Sequence, residues 1–141
     1  MSIKYRAGYK YQLVEPYEHQ LDFTVGTPDG LGIITDFYEL YPDGKLVVKS
    51  GYAYDGPSGP TFDTDNFMRG SLVHDVLYQC FREGHLDPKV YKEKADRHLQ
   101  KICREDGMSA IRAWWVYQGL AIGGWPATQP YTNDVQTAGD Y

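Results

Sequence analysis

The sequence predicts an α+β fold, in which a small antiparallel β-sheet over residues 5–54 is followed by three packed α-helices. Up to Tyr54, segments rich in β-branched and aromatic residues alternate with turn signals. After Pro60, apolar residues recur about every 3.6 positions instead of every second position. Because 141 residues suit one domain, we expect a single domain over residues 1–124 and a polar C-terminal tail over residues 125–141.

Four segments in the first part of the chain have the composition of β-strands. They are residues 10–15, 21–25, 32–41 and 45–54. Pro and Gly stand at turn positions in residues 27–30 and 41–44, and the second of these turns joins two alternating segments as a hairpin does. This order predicts a meandering antiparallel sheet.

The first helix is predicted over residues 64–82, with a cap near Asp63, Thr64 or Asp65. Apolar residues surround its axis almost completely, which predicts a central, buried helix. These residues are Phe67, Met68, Leu72, Val73, Val76, Leu77, Tyr78, Cys80 and Phe81. The adjacent pair His74 and Asp75 on this helix therefore needs partners, because a buried carboxylate without one is costly.

The second helix is predicted over residues 88–105, because Asp87 is a good cap and Pro88 suits the first helical position. Its apolar stripe consists of Tyr91, Ala95, Leu99, Ile102 and Cys103. Its basic residues are Lys89, Lys92, Lys94, Arg97, Lys101 and Arg104. We expect these basic residues to form a solvated face.

The third helix is predicted over residues 109–122 and ends at Gly123 and Gly124. We expect its core side to carry Ile111, Trp114, Trp115 and Ile122. The two tryptophans fit a buried helix face better than a membrane-contact patch, although one of them can still project outward toward lipid or a partner. From Trp125 onward we expect an extended tail, or one held only by a partner.

Composition excludes several functions. The net charge of −5 and the pI near 5.2 argue against nucleic-acid binding, which requires clustered Lys and Arg. No apolar run is long enough for a signal peptide or a membrane span. Cys80 and Cys103 are expected to be buried thiols. His74, His85 and His98 do not match zinc-ligand spacings, and His19 is expected at the surface.

The best candidate for chemistry is the pair His74 and Asp75. Neighbouring helix positions point about 100° apart, so the two side chains must face different partners. A carboxylate from the second helix would hold the imidazole of His74 and leave its other nitrogen free as a general base. Asp96, beside the apolar stripe, is the best placed. Asp75 would then hold a cation together with carbonyl oxygens of the Gly- and Pro-rich loop before the first helix, and oxygen ligands favour calcium over zinc.

This segment resembles the active-site segment of secreted phospholipases A2. The resemblance rests on a Gly-rich loop, Asp65 nine positions and Arg69 five positions before the histidine, and the motif His74-Asp75-x-x-Tyr78. It implies that His74 is the general base and that Asp96 orients it, with Tyr78 in support. It also implies that calcium is bound by Asp75 and by the loop near Gly56, Ser58 and Gly59. The paired cysteines that lie just before the catalytic residues of this helix in secreted phospholipases are replaced here by Gly70 and Ser71.

The whole chain also resembles short bacteriophage and bacterial proteins of unknown function, which implies a phage or prophage origin. The sequence therefore leaves two functions open. The first is a phospholipase A2-like ester hydrolase acting on phospholipid or another ester. The second is a non-catalytic virion or host-interaction protein that contacts phage structural proteins. The expected location is the host cytoplasm or the virion.

Arg69 is expected to form an ion pair with Asp65 or Asp96 rather than to bind substrate.

Overall fold

A computed structural model describes residues 5–6, 11–27, 29–54 and 65–130 of the chain. The α+β prediction is confirmed, since a strand-rich first part precedes three helices. The strands are β1 Tyr5–Arg6, β2 Tyr11–Leu13, β3 Tyr17–Gln20, β4 Ile33–Ile34, β5 Tyr38–Leu40, β6 Lys45–Val48 and β7 Ala53–Tyr54. The helices are α1 Asp65–Arg82, α2 Pro88–Glu105 and α3 Ala110–Gly123, followed by a short 3₁₀ helix, Trp125–Thr128. The helix boundaries agree with the predicted ones to within one residue.

The strands form two antiparallel sheets rather than one meander. The first has the order β1-β2-β7 and the second the order β3-β6-β5-β4. In the second sheet Val48 is paired with Tyr17 on one side and Tyr38 on the other. All three side chains are buried, so this row forms part of the inner face of the sheet. The predicted turn at residues 41–44 does join β5 to β6, and Gly44 has the positive φ of 93° that such a turn requires.

The predicted strand at residues 21–25 is wrong. The backbone N–H groups of Leu21 and Val25 donate to the carbonyls of Gly44 and Pro42, so this segment wraps around the hairpin turn. Its alternating burial comes from that wrapping and imitates the period of a strand. The true strand, Tyr17–Gln20, lies just before it and pairs with β6. The predicted strand at residues 32–41 contains two short strands, β4 and β5, and the predicted strand at residues 45–54 contains β6 and β7. In both cases the residues between the two short strands are not in a strand.

Helix α1 is the centre of the domain, as predicted. Leu72, Val76 and Cys80 on it are fully buried in the core that it shares with the two sheets. A second cluster lies among the three helices and consists of Phe67, Leu99, Cys103, Met108, Ala113 and Val116, with Leu120 packed against it. Helices α1 and α2 approach each other closely at Gly70, where an added Cβ would lie 2.6 Å from Cδ1 of Leu99. Glycine at this position therefore permits the close approach.

The predicted core side of α3 is wrong. Ala113 and Val116 are the buried residues of this helix, whereas the four residues predicted to face the core are exposed. They are Ile111, Trp114, Trp115 and Ile122. Helix α3 is apolar on both sides, so periodicity alone does not say which side faces inward. The side with the smaller residues packs into the second cluster.

The chain past α3 is structured for several residues beyond the predicted start of the tail. The 3₁₀ helix Trp125–Thr128 packs near α1, where Nη1 of Arg82 donates to the carbonyl of Ala127 at 3.0 Å. Thr128 is fully buried. Residues 131–141, the rest of the predicted tail, lie outside the described residues. Cys80 and Cys103 are both buried free thiols, as predicted. Across the described ranges, no helix is long and apolar enough to cross a membrane.

Candidate active site

The crossing of α1 and α2 brings His74 and Asp96 together. Nε2 of His74 lies 2.8 Å from Oδ1 of Asp96, and the two side chains are 7% and 1% exposed. The two residues are 22 positions apart in sequence, so the contact depends on the packing of α1 against α2. The approach of Asp96 to His74 that the sequence predicts is thus observed, and the catalytic roles of the two residues stay a prediction.

Two more donors complete the surroundings of the Asp96 carboxylate. The hydroxyl of Tyr78 donates to Oδ1 at 2.7 Å, and Nζ of Lys92 donates to Oδ2 at 2.7 Å. Tyr78 lies one helical turn after His74, and their rings are 4.0 Å apart between centroids. Lys92 lies one turn before Asp96 on α2, and its side chain is 4% exposed. We call His74, Tyr78, Lys92 and Asp96 the Asp96 cluster.

Lys92 also connects the cluster to the end of α3. Its Nζ donates to the carbonyl of Leu120 at 2.8 Å and lies 5.0 Å from the ring centroid of Trp125. The ammonium group is thus bound by a carboxylate, a helix C-terminal carbonyl and an aromatic face, all of which favour a cation. The prediction that Lys92 lies on a solvated face is wrong. Its neighbours Lys89, Lys94, Arg97, Lys101 and Arg104 are at least partly exposed.

The electrostatics of the cluster keep Asp96 ionised. Burial by itself would raise the pKa of Asp96, but hydrogen bonds from His74, Lys92 and Tyr78 outweigh it, so that the pKa lies below its ordinary value. The pKa of Tyr78 is raised, first by burial and then by its hydrogen bond to Asp96. Tyr78 therefore acts as a hydrogen-bond donor to the carboxylate.

An ionised Asp96 also determines the tautomer of His74. Because Asp96 accepts at Nε2, a neutral imidazole carries its hydrogen there and its lone pair on Nδ1. Within the described part of the chain, no group is hydrogen bonded to Nδ1. An imidazole that is held at one nitrogen by a carboxylate can take up a proton at the other nitrogen, which is the chemistry of a general base.

The predicted metal site is only partly within the described residues. The side chain of Asp75 is half-buried, and its charge helps to raise the pKa of Tyr52, although burial is the larger cause. Among the described residues, no group of three His, Cys, Asp or Glu side chains is placed to hold a metal ion. The other predicted ligands, Gly56, Ser58 and Gly59, lie outside the described residues. The described residues thus offer calcium one carboxylate and do not make up a site.

Comparison with known proteins identifies a family. Residues 33–120 match the family described as protein of unknown function (DUF1353). The chain belongs to the DUF1353 family. The matched range includes β4, all of α1 and α2, and most of α3, so it contains the whole Asp96 cluster. No curated protein and no solved structure shows a significant match to the chain.

In this DUF1353 chain, the described carboxylate partners of Arg69 are Asp106 and Glu105, whereas the side chain of Asp65, one of the two partners that the sequence suggested, lies outside the described part of the chain. The guanidinium of Arg69 donates to both oxygens of Asp106 at 2.9 Å and to Glu105 at 3.1 Å. These bonds, led by those to Asp106, raise the pKa of Arg69. Asp96 is not its partner, because the donors of its own cluster already surround that carboxylate. Arg69 therefore ties the start of α1 to the end of α2.

A second polar network, not predicted from the sequence, includes two histidines. Nε2 of His19 lies 2.7 Å from Nε2 of His98, and Nδ1 of His19 lies 2.9 Å from the hydroxyl of Tyr17. Oδ1 of Asp22 lies 3.0 Å from Nδ1 of His98, although the orientation is too bent for a regular hydrogen bond. Nη1 of Arg69 donates to Tyr17 at 3.3 Å. His19 is thus half-buried and hydrogen bonded rather than a fully exposed surface residue.

Burial strongly affects this histidine pair. Burial, as the larger cause, and the nearby His98 together lower the pKa of His19 to about 4. Burial also lowers the pKa of His98, against the opposing effect of Asp22. Both imidazoles are therefore neutral at pH 7, and one of them donates its N–H to the lone pair of the other. Both nitrogens of His19 are thus occupied within this pair and its neighbour Tyr17.

Proposed function

We propose that this DUF1353 protein is an ester hydrolase in which His74 is the general base and Asp96 is its positioning residue. The single observation that supports this most is the 2.8 Å contact between His74 and a buried Asp96. The low pKa of Asp96 keeps it charged, and a charged partner stabilises the imidazolium that forms when His74 takes a proton.

The reaction follows from the orientation of the imidazole. A water molecule at Nδ1 of His74 loses a proton to that nitrogen and attacks the carbonyl carbon of the ester. Asp96 holds Nε2–H during this step, and Tyr78 and Lys92 hold Asp96. The proton on Nδ1 then passes to the leaving alkoxide, so that one carboxylic acid and one alcohol are released.

Phospholipid is the substrate class that the resemblance to secreted phospholipases A2 suggests. The same resemblance suggests calcium, with Asp75 as the one described ligand. When bound, calcium would polarise the ester carbonyl. We propose no step through the metal, because its remaining ligands are assigned to residues 56, 58 and 59 outside the described part of the chain.

The second candidate function is a non-catalytic phage protein, either a virion component or a host-interaction module. It is favoured by the low exposure of the cluster, since His74 is 6% and Lys92 3% exposed. In that case the cluster is a polar crosslink that fixes α1, α2 and α3 relative to each other. The two functions differ in whether His74 must accept a proton.

The deciding experiment measures fatty-acid release from mixed phospholipid vesicles, with and without calcium. We expect release by the wild type and a decrease of about 10²- to 10⁴-fold in His74→Gln. His85→Gln is the matched control, because His85 is exposed and lies outside the cluster. Both variants must retain the wild-type circular dichroism spectrum. Equal release by His74→Gln and the wild type would exclude the hydrolase and leave the crosslink. If release needs no calcium, only the metal is removed from the proposal.

A further inference from the structure

Helix α3 presents a largely apolar stripe that the described part of the chain leaves exposed. Ile111, Trp115, Gln118 and Ile122 lie within about 60° of arc around the helix. Ile111 is 73%, Trp115 63% and Ile122 81% exposed. Trp114, which contacts Trp115 edge to face, borders the stripe. We call these four residues, 111, 115, 118 and 122, the α3 stripe.

The α3 stripe lies on the side of the helix that faces away from the core. The opposite side of the helix, with Ala113 and Val116, already faces the core. Large apolar residues that are exposed next to one another are unusual on a monomer and mark an interaction surface. The surface is centred on aromatic and branched aliphatic side chains, which are the residues that dominate the centre of protein interfaces.

The charge distribution favours a second copy of this chain as the partner. The chain carries a net charge of −5, so two copies repel each other over most of their surface. The sequence from 107 to 133 contains no Asp or Glu, and Arg112 is its one charged residue. Two copies that meet through this segment therefore bring few like charges together.

The spacing of the stripe favours the same partner. Its four residues are separated by four, three and four positions, a pattern that reads the same in both directions along the helix. A two-fold interface is self-complementary, so each residue of one copy must suit its counterpart in the other. An antiparallel pair of stripes satisfies this requirement without any further residue.

We propose that this protein forms a two-fold dimer in which the α3 stripes of two copies pack antiparallel. The axis passes between Trp115 and Gln118. Ile111 then lies against Ile122 of the partner subunit, and Trp115 lies against Gln118 of the partner subunit. An indole N–H is a donor and a side-chain amide oxygen is an acceptor, so this second pair can form a hydrogen bond on each side of the axis.

The size of the stripe sets the strength of the dimer. An aromatic side chain buries about 150 to 250 Å², so the stripe and its border offer on the order of 500 Å² per copy. A standard stable interface buries about 800 Å² per partner. We therefore expect a weak dimer that dissociates on dilution.

The first test is sedimentation velocity over low to high micromolar protein. The wild type is expected to shift from monomer to dimer, and Trp115→Glu and Ile122→Glu are expected to remain monomeric over the same range. Leu31→Glu is the matched control, because Leu31 is also 73% exposed but lies in the strand-rich part of the chain. A wild type that stays monomeric, or a Leu31→Glu variant that loses the dimer equally, would overturn the proposal.

The second test determines the direction of packing by mild oxidation of introduced cysteines. Equivalent ends of the stripe lie about 16 Å apart in an antiparallel pair, because a helix rises about 1.5 Å per residue. The double variant Ile111→Cys/Ile122→Cys should therefore form a covalent dimer, whereas each single variant should not. Cys80 and Cys103 are buried and do not compete. Crosslinking of the single variants would show parallel packing and overturn the proposed geometry. A monomer that instead binds phosphatidylcholine vesicles through Trp115 would show that the stripe contacts lipid, and would overturn self-pairing.

Discussion

Nζ of Lys92 lies 2.7 Å from Oδ2 of Asp96, and both side chains are almost completely buried. A buried ion pair of this kind adds little net stability, but the loss of one partner is expensive because the other charge stays in the interior. The pair therefore makes the helix arrangement depend on the presence of both residues.

Asp96→Asn is expected to lower the free energy of unfolding by roughly 3 to 5 kcal/mol, because Lys92 would keep its charge without a carboxylate. The double variant Asp96→Asn/Lys92→Met should lose less than Asp96→Asn alone. Glu93→Gln is the control on the same helix, since its ion pair with Arg97 is exposed, and it should change stability by less than about 0.5 kcal/mol. Urea denaturation measures all three. If Asp96→Asn and Glu93→Gln had the same free energy of unfolding, the ion pair between Lys92 and Asp96 would not stabilise the packing of the helices.

Stability should decrease as the pH falls from 6.5 to 4. The pKa of His19 is lowered from 6.5 to about 4 in the folded chain, so the unfolded chain takes up this proton first. Linkage then lowers the free energy of unfolding by up to about 3 kcal/mol across this window, with no further loss from His19 below it. His98 acts in the same direction. Denaturant titrations at a series of pH values give the free energy of unfolding as a function of pH. This dependence on pH should be weaker for His19→Gln than for the wild type, and an equal dependence would show that His19 does not cause it.

Gly70→Ala is expected to destabilise the protein by about 1 to 2 kcal/mol. The added methyl group meets Cδ1 of Leu99 at 2.6 Å and Sγ of Cys103 at 3.3 Å, and the strain exceeds the gain of about 1 kcal/mol in helix propensity. Gly119→Ala on α3 is the paired control, because nothing lies within 4 Å of its added Cβ. It should leave stability unchanged or raise it. Thermal unfolding of both variants tests the difference, and a stabilised Gly70→Ala would contradict the close helix approach.

The helices could be predicted because their signals are local. Asp87 accepts a hydrogen bond from the backbone of Lys89, with Pro88 next to it, so the start of α2 is specified within three residues. The approach of Asp96 to His74 followed from the position of Asp96 beside an apolar stripe. Lys92 was missed, although its four-residue spacing from Asp96 is a signal for an ion pair on one helix face.

Features that depend on distant residues could not be predicted in this way. His19 and His98 are 79 positions apart, and no local pattern links them. The strand Tyr17–Gln20 was missed because the segment after it imitates strand alternation while it wraps a turn. The inward side of α3 was assigned wrongly because both sides are apolar, and the choice depends on the space left by Phe67 and Leu99.

The position of Trp125 provides an optical probe of the buried charge cluster. Its indole is 43% exposed, yet its ring lies 5.0 Å from the ammonium of Lys92. A nearby cation alters the emission of an excited indole, so a variant with Trp114 and Trp115 replaced by phenylalanine would report the environment of Lys92 by fluorescence. Ligand binding, metal addition or proton uptake near His74 would then become visible in real time without a substrate label.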